Sequence, residues 1–248
     1  MTSPDYATAS PRPKLFVIAA IGGVLLAVLA LVVFVLLPGD ADSTTTTPTA
    51  TPAASTPPAP GSPAPSAAPT GQSPVPTAAP AGVAWQLVGQ VAVPVSSTDG
   101  PSRSDADHAS GFAHTPVGAL IAAAQISTRA GYSAGAKSWE AALQNQFVAS
   151  ADRDRLLSLL RDAKAQGQQP ASAGSLSQVS GFRYISYTAE VATIGLVRRS
   201  PSGAHAITTL TLRWDGGDWK VVAPPAGHWP AVTTPLTDMT GVVAWGAS

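Results

Sequence analysis

The longest apolar run of the chain covers residues 15–37, where 23 consecutive residues carry no charged, polar or proline side chain. A helix of that length spans about 35 Å, slightly more than the roughly 30 Å hydrocarbon core of a bilayer. The run therefore predicts a transmembrane helix. A secretory signal peptide is the alternative, but its apolar region is usually only about 7 to 15 residues long.

The charges beside this helix predict its orientation. Arg12 and Lys14 precede it, Asp40 and Asp42 follow it, and the next basic residue is Arg103. Because basic flanks stay inside, we expect residues 1–14 in the cytoplasm and all that follows the helix outside the cell.

The residue pattern predicts two helices between positions 115 and 147. Thr115-Pro116 is a helix-start signal, and residues 117–126 are apolar nearly all round, which predicts a buried central helix. A second helix is expected from about Ala136, with Trp139, Leu143 and Phe147 on one face.

A third helix is expected to begin near Ser150. Acidic residues in its first turn and basic residues in its last match the helix dipole. Its predicted buried face consists of Leu156, Leu157 and Leu160.

Period-two alternation predicts strands on both sides of the helices. Residues 85–95 read as one half-buried strand, which Pro94 places at a sheet edge, and residues 96–110 as a surface loop. Further strands are expected over 182–187, 191–197, 206–214 and 219–223, with a hairpin turn at Asp215-Gly216-Gly217-Asp218. The expected fold class is α+β, about three helices on a bent antiparallel sheet.

Composition separates a linker from the domain. Residues 38–83 are almost wholly Pro, Ala, Thr, Ser and Gly and hold 12 of the 24 prolines. Such a segment has no apolar face to bury, so we expect a disordered tether, which could reach about 140 Å as polyproline II. Residues 84–248 then form the exported domain.

Charge and cysteine content exclude several functions. The chain has formal net charge zero and no cysteine, which excludes a disulfide scaffold, a thiolate metal site and a cysteine nucleophile. The predicted domain holds 12 Lys and Arg against 11 Asp and Glu, so direct binding of nucleic acid is not expected.

Gly131-Tyr132-Ser133-Ala134-Gly135 matches G-x-S-x-G, the nucleophile elbow of α/β-hydrolases. The elbow needs a strand before the serine, whereas here a helix is expected. The motif is therefore interpreted as an interhelical loop.

Asp105, Asp107, His108 and His114 gather possible metal ligands within ten residues. Most lie in a polar loop, whereas a metal site needs ligands that converge from rigid elements, so a solvated loop is preferred. His114 is interpreted as a helix-start residue bonded to the backbone.

Other candidates are weaker. Glu140 and Glu190 are the only glutamates, too few to propose an acid–base pair, and Arg198-Arg199 is a short basic spot. The aromatic set could line a pocket, but core packing is preferred; its members are Trp139, Phe182, Tyr184, Trp214 and Trp219. No catalytic, cofactor-binding or metal-ligating residue is assigned.

Several motifs together resemble an uncharacterised family of membrane-anchored proteins from high-GC Gram-positive bacteria, encoded with conjugative elements. The motifs are Gly111-Phe112-Ala113-His114-Thr115-Pro116, GALIAAA, Gly181-Phe182-Arg183, Trp214 with Gly217-Asp218-Trp219-Lys220, Ala223-Pro224-Pro225 and Trp245-Gly246. The overall plan is similar to the bitopic assembly factors of type IV secretion, whose exported domain is a nuclear-transport-factor-like cone.

This resemblance implies a non-enzymatic envelope protein that contacts other subunits of a DNA-transfer or secretion apparatus, with homo-oligomers possible and no cofactor. The tail, residues 227–248, offers Trp229, Met239 and Trp245 either to a partner or to its own sheet. Two alternatives stay open: a wall-exposed ligand binder or enzyme that uses the cavity of the cone, and a signalling anchor.

Overall fold

The computed structural model describes residues 74–172 and 174–247. The predicted membrane helix and residues 38–73 of the predicted tether lie outside these ranges. No helix within them is long and apolar enough to cross a membrane.

The described part has an α+β fold with three helices, as expected from the sequence. The helices are α1 (Pro116–Arg129), α2 (Ala136–Asn145) and α3 (Ala151–Ala165). The strands are β1 (Val83–Val88), β2 (Val91–Ser96), β3 (Arg103–Ser104), β4 (Ala109–Ser110), β5 (Gln178–Tyr187), β6 (Val191–Arg199), β7 (His205–Asp215), β8 (Asp218–Val221), β9 (Thr233–Leu236) and β10 (Val243–Ala244).

The main sheet has the strand order β10-β5-β6-β7-β8, and β9 also pairs with β7. All of these pairings are antiparallel. The predicted hairpin between β7 and β8 is confirmed: Gly216 and Gly217 form its two-residue turn with φ of +63° and +81°. Glycine adopts such angles without the steric cost that a Cβ brings.

Local capping explains where the helices begin. Thr115 lies directly before Pro116, the first residue of α1. Its hydroxyl accepts a hydrogen bond of 2.9 Å from the N–H of Gly118. The Ser150 hydroxyl does the same for Arg153 at 3.1 Å, at the start of α3. Both predicted starts are confirmed.

Helix α1 is buried on nearly all sides because it contacts β2 as well as β6, β7 and β8. Residues 119–124 have no solvent exposure. In α2, Trp139 and Leu143 are buried as predicted, but Phe147 lies beyond the end of the helix, beside Val221 of β8.

The prediction of one strand over residues 85–95 was wrong. The segment folds into a β1–β2 hairpin in which Val88 faces Val91 across a two-residue turn. Gly89 begins this turn with φ +57°, the left-handed conformation that glycine supplies in tight hairpins. The predicted loop over 96–110 likewise contains the short pair β3–β4.

Candidate docking groove

An open groove of about 940 Å³ lies where four stretches of the chain meet. The first stretch contains Ala79, Pro80, Val83 and Trp85, and the second contains Gly174, Leu176 and residues 178–180. The turn after β6 (199–201) and the C-terminal residues 244–247 complete the lining.

Two tryptophans from opposite ends of the domain meet in this groove. The rings of Trp85 on β1 and Trp245 after β10 are 5.0 Å apart in an edge-to-face arrangement. Trp245 also contacts Phe182 edge-to-face and is only 6% exposed. Edge-to-face aromatic pairs of this kind stabilise a site beyond their buried area.

The hydroxyl of Ser180 is buried in the groove wall and has no hydrogen-bond partner among the described residues. Buried polar groups nearly always have a partner.

Strand β1 borders the groove and pairs on one edge only, with β2, in the described chain. The backbone N–H of Ala92 in β2 points away from β1, because it donates to the Gln178 side chain at 2.9 Å. Ala92 faces Leu87 in the register. By the alternation of antiparallel pairing, Leu87 and Trp85 therefore turn their backbone groups toward the free edge.

This free edge lacks the usual protection. Proteins protect exposed strand edges with charges, prolines or bulges, yet β1 reads VAWQLV without a charged residue, and Leu87 is 73% exposed. The partly free edge of β5 differs, since a register irregularity interrupts it at Ile185, between Tyr184 and Ser186. Strand β1 thus combines a regular edge with a neighbouring aromatic groove.

The aromatic set named in the sequence analysis packs in the core, as was preferred there. Trp139, Phe182 and Trp219 are at most 1% exposed, and Tyr184 and Trp214 pack against them. These side chains fill the space between α1, α2 and the sheet. Large aromatic rings therefore occupy the interior of the domain.

The predicted metal-ligand candidates do not converge. In the described residues no group of three or more histidine and acidic side chains could hold a metal ion. The carboxylate of Asp105 accepts hydrogen bonds from the backbone of Asp107 (2.8 Å) and His108 (2.7 Å), which lowers its pKa. These two hydrogen bonds close the turn that begins at Asp105.

A buried arginine occupies the other side of that turn. Arg129 at the end of α1 has no solvent exposure and donates to the Ser104 hydroxyl at 3.1 Å and to the Asp105 carbonyl at 2.9 Å. Burial lowers the pKa of Arg129 to about 10, although Asp105 and Asp107 act in the opposite direction. A fixed cation beside this loop disfavours a metal ion there.

His114 lies elsewhere, stacked on Trp214 with ring centroids 3.9 Å apart. Its Nε2 bonds to the carbonyl of Ala189, in the turn between β5 and β6. The predicted backbone bond is therefore present, but it joins two distant elements and does not cap α1.

Ser133 lies in a 3-10 turn between α1 and α2 (Tyr132–Ala134). Its hydroxyl accepts a hydrogen bond of 3.0 Å from the N–H of Ala171. The interhelical-loop interpretation is confirmed, because helix α1 and not a strand directly precedes this turn.

Comparison with known proteins gives one match. A family model described as a domain of unknown function, DUF8175, matches residues 45–244. Neither the curated proteins nor the solved structures contain a significant match to the chain.

Proposed function

We propose that this chain, which belongs to the DUF8175 family, is a non-enzymatic, membrane-anchored envelope protein whose exported domain docks extended segments of partner proteins. One helix over residues 15–37 holds it in the membrane, and the tether over 38–83 gives the domain its reach. The cone-like domain acts as a scaffold subunit of a conjugation or secretion apparatus.

The free edge of β1 beside the tryptophan groove carries this proposal. A partner segment in extended conformation would add a strand to β1, using the outward backbone groups of Trp85 and Leu87. Its alternate side chains would enter the groove against Trp85 and Trp245. Strand addition of this kind derives affinity from main-chain hydrogen bonds and specificity from side-chain pockets.

The chemistry of the edge indicates what the partner segment contains. Since β1 has no charged residue, ion pairs play no part in the strand pairing. We therefore propose an uncharged, apolar segment, with Leu87 and Trp85 as the residues that it covers. Aromatic anchors in a groove commonly dominate the binding energy of an interface.

Site-specific photo-crosslinking in intact cells tests the proposal. A photoreactive phenylalanine analogue replaces Pro201, an exposed residue of the groove rim. The matched control carries the same probe at Ile185, which is 54% exposed but lies at the interrupted β5 edge.

The expected result is a discrete crosslinked species from position 201 that position 185 does not give. Equal yields from both positions, or no product from position 201, would reject the groove as the docking site.

A further inference from the structure

A second cavity, of about 240 Å³, lies between the β1–β2 hairpin, the end of α1 and the turn that follows it. Arg198 of β6 lines it, and we name it the Arg198 cavity. Its lining includes an apolar wall (Val88, Val91 and Leu176) and a hydroxyl-bearing wall (Ser127, Thr128, Tyr132, Ser133). Gln90, Gly131, Ala134 and Ser177 complete it.

Within the described part of the chain, the guanidinium of Arg198 has no anionic partner. Its Nη2 donates to the hydroxyls of Ser127 at 2.8 Å and Thr128 at 3.3 Å. In the described residues, no carboxylate lies within salt-bridge distance of it, and its Nε and Nη1 make no hydrogen bond.

The Arg198 side chain is half-buried and lines the open cavity. Desolvation lowers the pKa of its guanidinium to about 10, and no compensating charge lies nearby in the described residues. The end of α1 supplies only the partial negative charge of a helix C-terminus. A bound anion would supply a formal counter-charge, which is what a desolvated guanidinium requires.

The hydroxyls around the cavity have different capacities to donate. The Ser127 hydroxyl already donates to the Ala123 carbonyl, and the Tyr132 hydroxyl donates to the Gln168 carbonyl. Ser133 accepts from the N–H of Ala171, so its own hydrogen stays available. The Thr128 hydroxyl likewise only accepts, from Arg198. Ser133, Thr128 and Arg198 are therefore donors that an anion would meet.

The opposite wall determines what accompanies the anion. Val88 and Val91 form a small apolar cluster of their own, against which Leu176 packs. A volume of about 240 Å³ lies below the usual range of drug-sized ligand sites, roughly 300 to 1,000 Å³. One positive charge, hydroxyl donors and an aliphatic wall together select a small, singly charged, partly apolar anion.

We propose that the Arg198 cavity binds a short aliphatic monocarboxylate, with the carboxylate on Arg198 and Ser133 and the alkyl chain against Val88, Val91 and Leu176. Guanidinium and carboxylate form charge-assisted, often bidentate hydrogen bonds. This site is separate from the docking of a partner segment, although Leu176 lines both spaces.

Equilibrium dialysis of the full-length protein in detergent against radiolabelled pentanoate tests the site, with protein-free micelles as blank. We expect saturable binding of one pentanoate per chain. Unlabelled pentanoate should displace the label, whereas pentanol, which has the alkyl chain without the charge, should not. Displacement by inorganic phosphate as effectively as by pentanoate would overturn the aliphatic class.

Two variants locate the binding. Arg198→Gln should weaken it about ten- to hundred-fold, the value of a charged hydrogen bond. Ala134 lines the cavity, so Ala134→Leu keeps the arginine but fills the cavity and should abolish binding. This second variant still locates the site if Arg198→Gln does not fold.

Arg213→Gln is the matched control, since Arg213 is an exposed arginine on β7 outside the cavity. It should bind pentanoate like the unmodified protein. Absence of saturable binding to the unmodified protein, or undiminished binding to Ala134→Leu, would overturn the proposal.

The same carboxylate chemistry occurs at the C-terminus of a polypeptide that ends in valine. Competition with acetyl-alanyl-valine and with its amide separates the two sources. Stronger displacement by unlabelled pentanoate assigns the site to a free acid. Stronger displacement by the free-acid dipeptide overturns that assignment in favour of a chain terminus.

Discussion

The carboxylate of Asp218 accepts a hydrogen bond of 2.8 Å from the backbone N–H of Gly111, which lies 107 residues earlier in the chain. Its second oxygen accepts from Phe112 at 3.0 Å. The neighbouring Trp219 adds a bond from its indole nitrogen to the Ala113 carbonyl at 3.0 Å. The segment that leads into α1 is thus fastened to the β7–β8 hairpin.

Replacing Asp218 by alanine should lower the free energy of unfolding by about 2 to 4 kcal/mol, because two half-buried N–H groups lose a charged acceptor. All six tryptophans lie between residues 85 and 245, so tryptophan fluorescence during unfolding of the intact chain reports on this domain alone. Asp215→Ala is the control. It removes only a partly exposed ion pair with Lys220, worth at most about 1 kcal/mol, and an equal loss in both variants would contradict the assignment.

The hydrogen bonds that join residues 111–113 to Asp218 and Trp219 could not be predicted from the sequence. The sequence accounts for Asp218 only by its place in the hairpin turn, which is a local signal. Its partners Gly111 and Phe112 are set by the tertiary fold. The caps at Thr115 and Ser150 were predictable for the opposite reason: donor and acceptor lie three residues apart.

The docking groove likewise combines a local feature that the sequence predicts with tertiary features that it does not. The sequence placed Trp85 on a strand, but the valines on both sides of Gly89 concealed the turn between β1 and β2. The only local signal was glycine between two valine-rich runs. The groove itself combines residues from both ends of the described chain, which no local pattern reveals. The burial of Arg129 was missed because arginine is rarely buried.

The C-terminal tail is part of the sheet. Trp245 is nearly buried against Trp85 and Phe182, whereas Met239 is 38% exposed. Trp245→Ala should therefore cost about 3 to 5 kcal/mol of stability, as large aromatic truncations in cores do. Met239→Ala should cost less than about 1 kcal/mol. Thermal or denaturant unfolding distinguishes them, and a negligible effect of Trp245→Ala would show that the tail is dispensable for the fold.

Alkaline pH should destabilise the domain through Tyr184. Burial raises the pKa of Tyr184 well above its usual value, and Tyr187 and Asp99 add to the rise. A raised folded pKa means that this stability is fully present below the unfolded value of about 10 and is lost as the pH rises beyond it.

The ultraviolet absorbance of tyrosinate measures this directly. Tyr184 should ionise only when the domain unfolds, so Tyr184→Phe should show the same absorbance change before unfolding and a smaller one after it. A smaller change in Tyr184→Phe already before unfolding would contradict the burial of the phenol.

The predicted orientation can be tested cleanly because the chain has no cysteine. Ser3→Cys places one thiol in the predicted cytoplasmic head, and Ser202→Cys places one in the exposed turn between β6 and β7. A membrane-impermeant maleimide added to intact cells should label only Ser202→Cys. Permeabilised cells, in which both variants should react, provide the control, and labelling of Ser3→Cys in intact cells would reverse the topology.

The most direct test of the docking account is a comparison of Leu87→Pro with Leu87→Val in the full-length protein. Proline removes the outward N–H of Leu87 without breaking the β1–β2 ladder, just as Pro94 occupies such a position in β2. Valine keeps the N–H and an apolar side chain. Both variants would be purified from crosslinked native membranes and their associated proteins quantified by mass spectrometry. We predict that Leu87→Val retains the envelope proteins that co-purify with the unmodified chain and that Leu87→Pro loses them. Identical sets of partners from the two variants would contradict strand addition at β1.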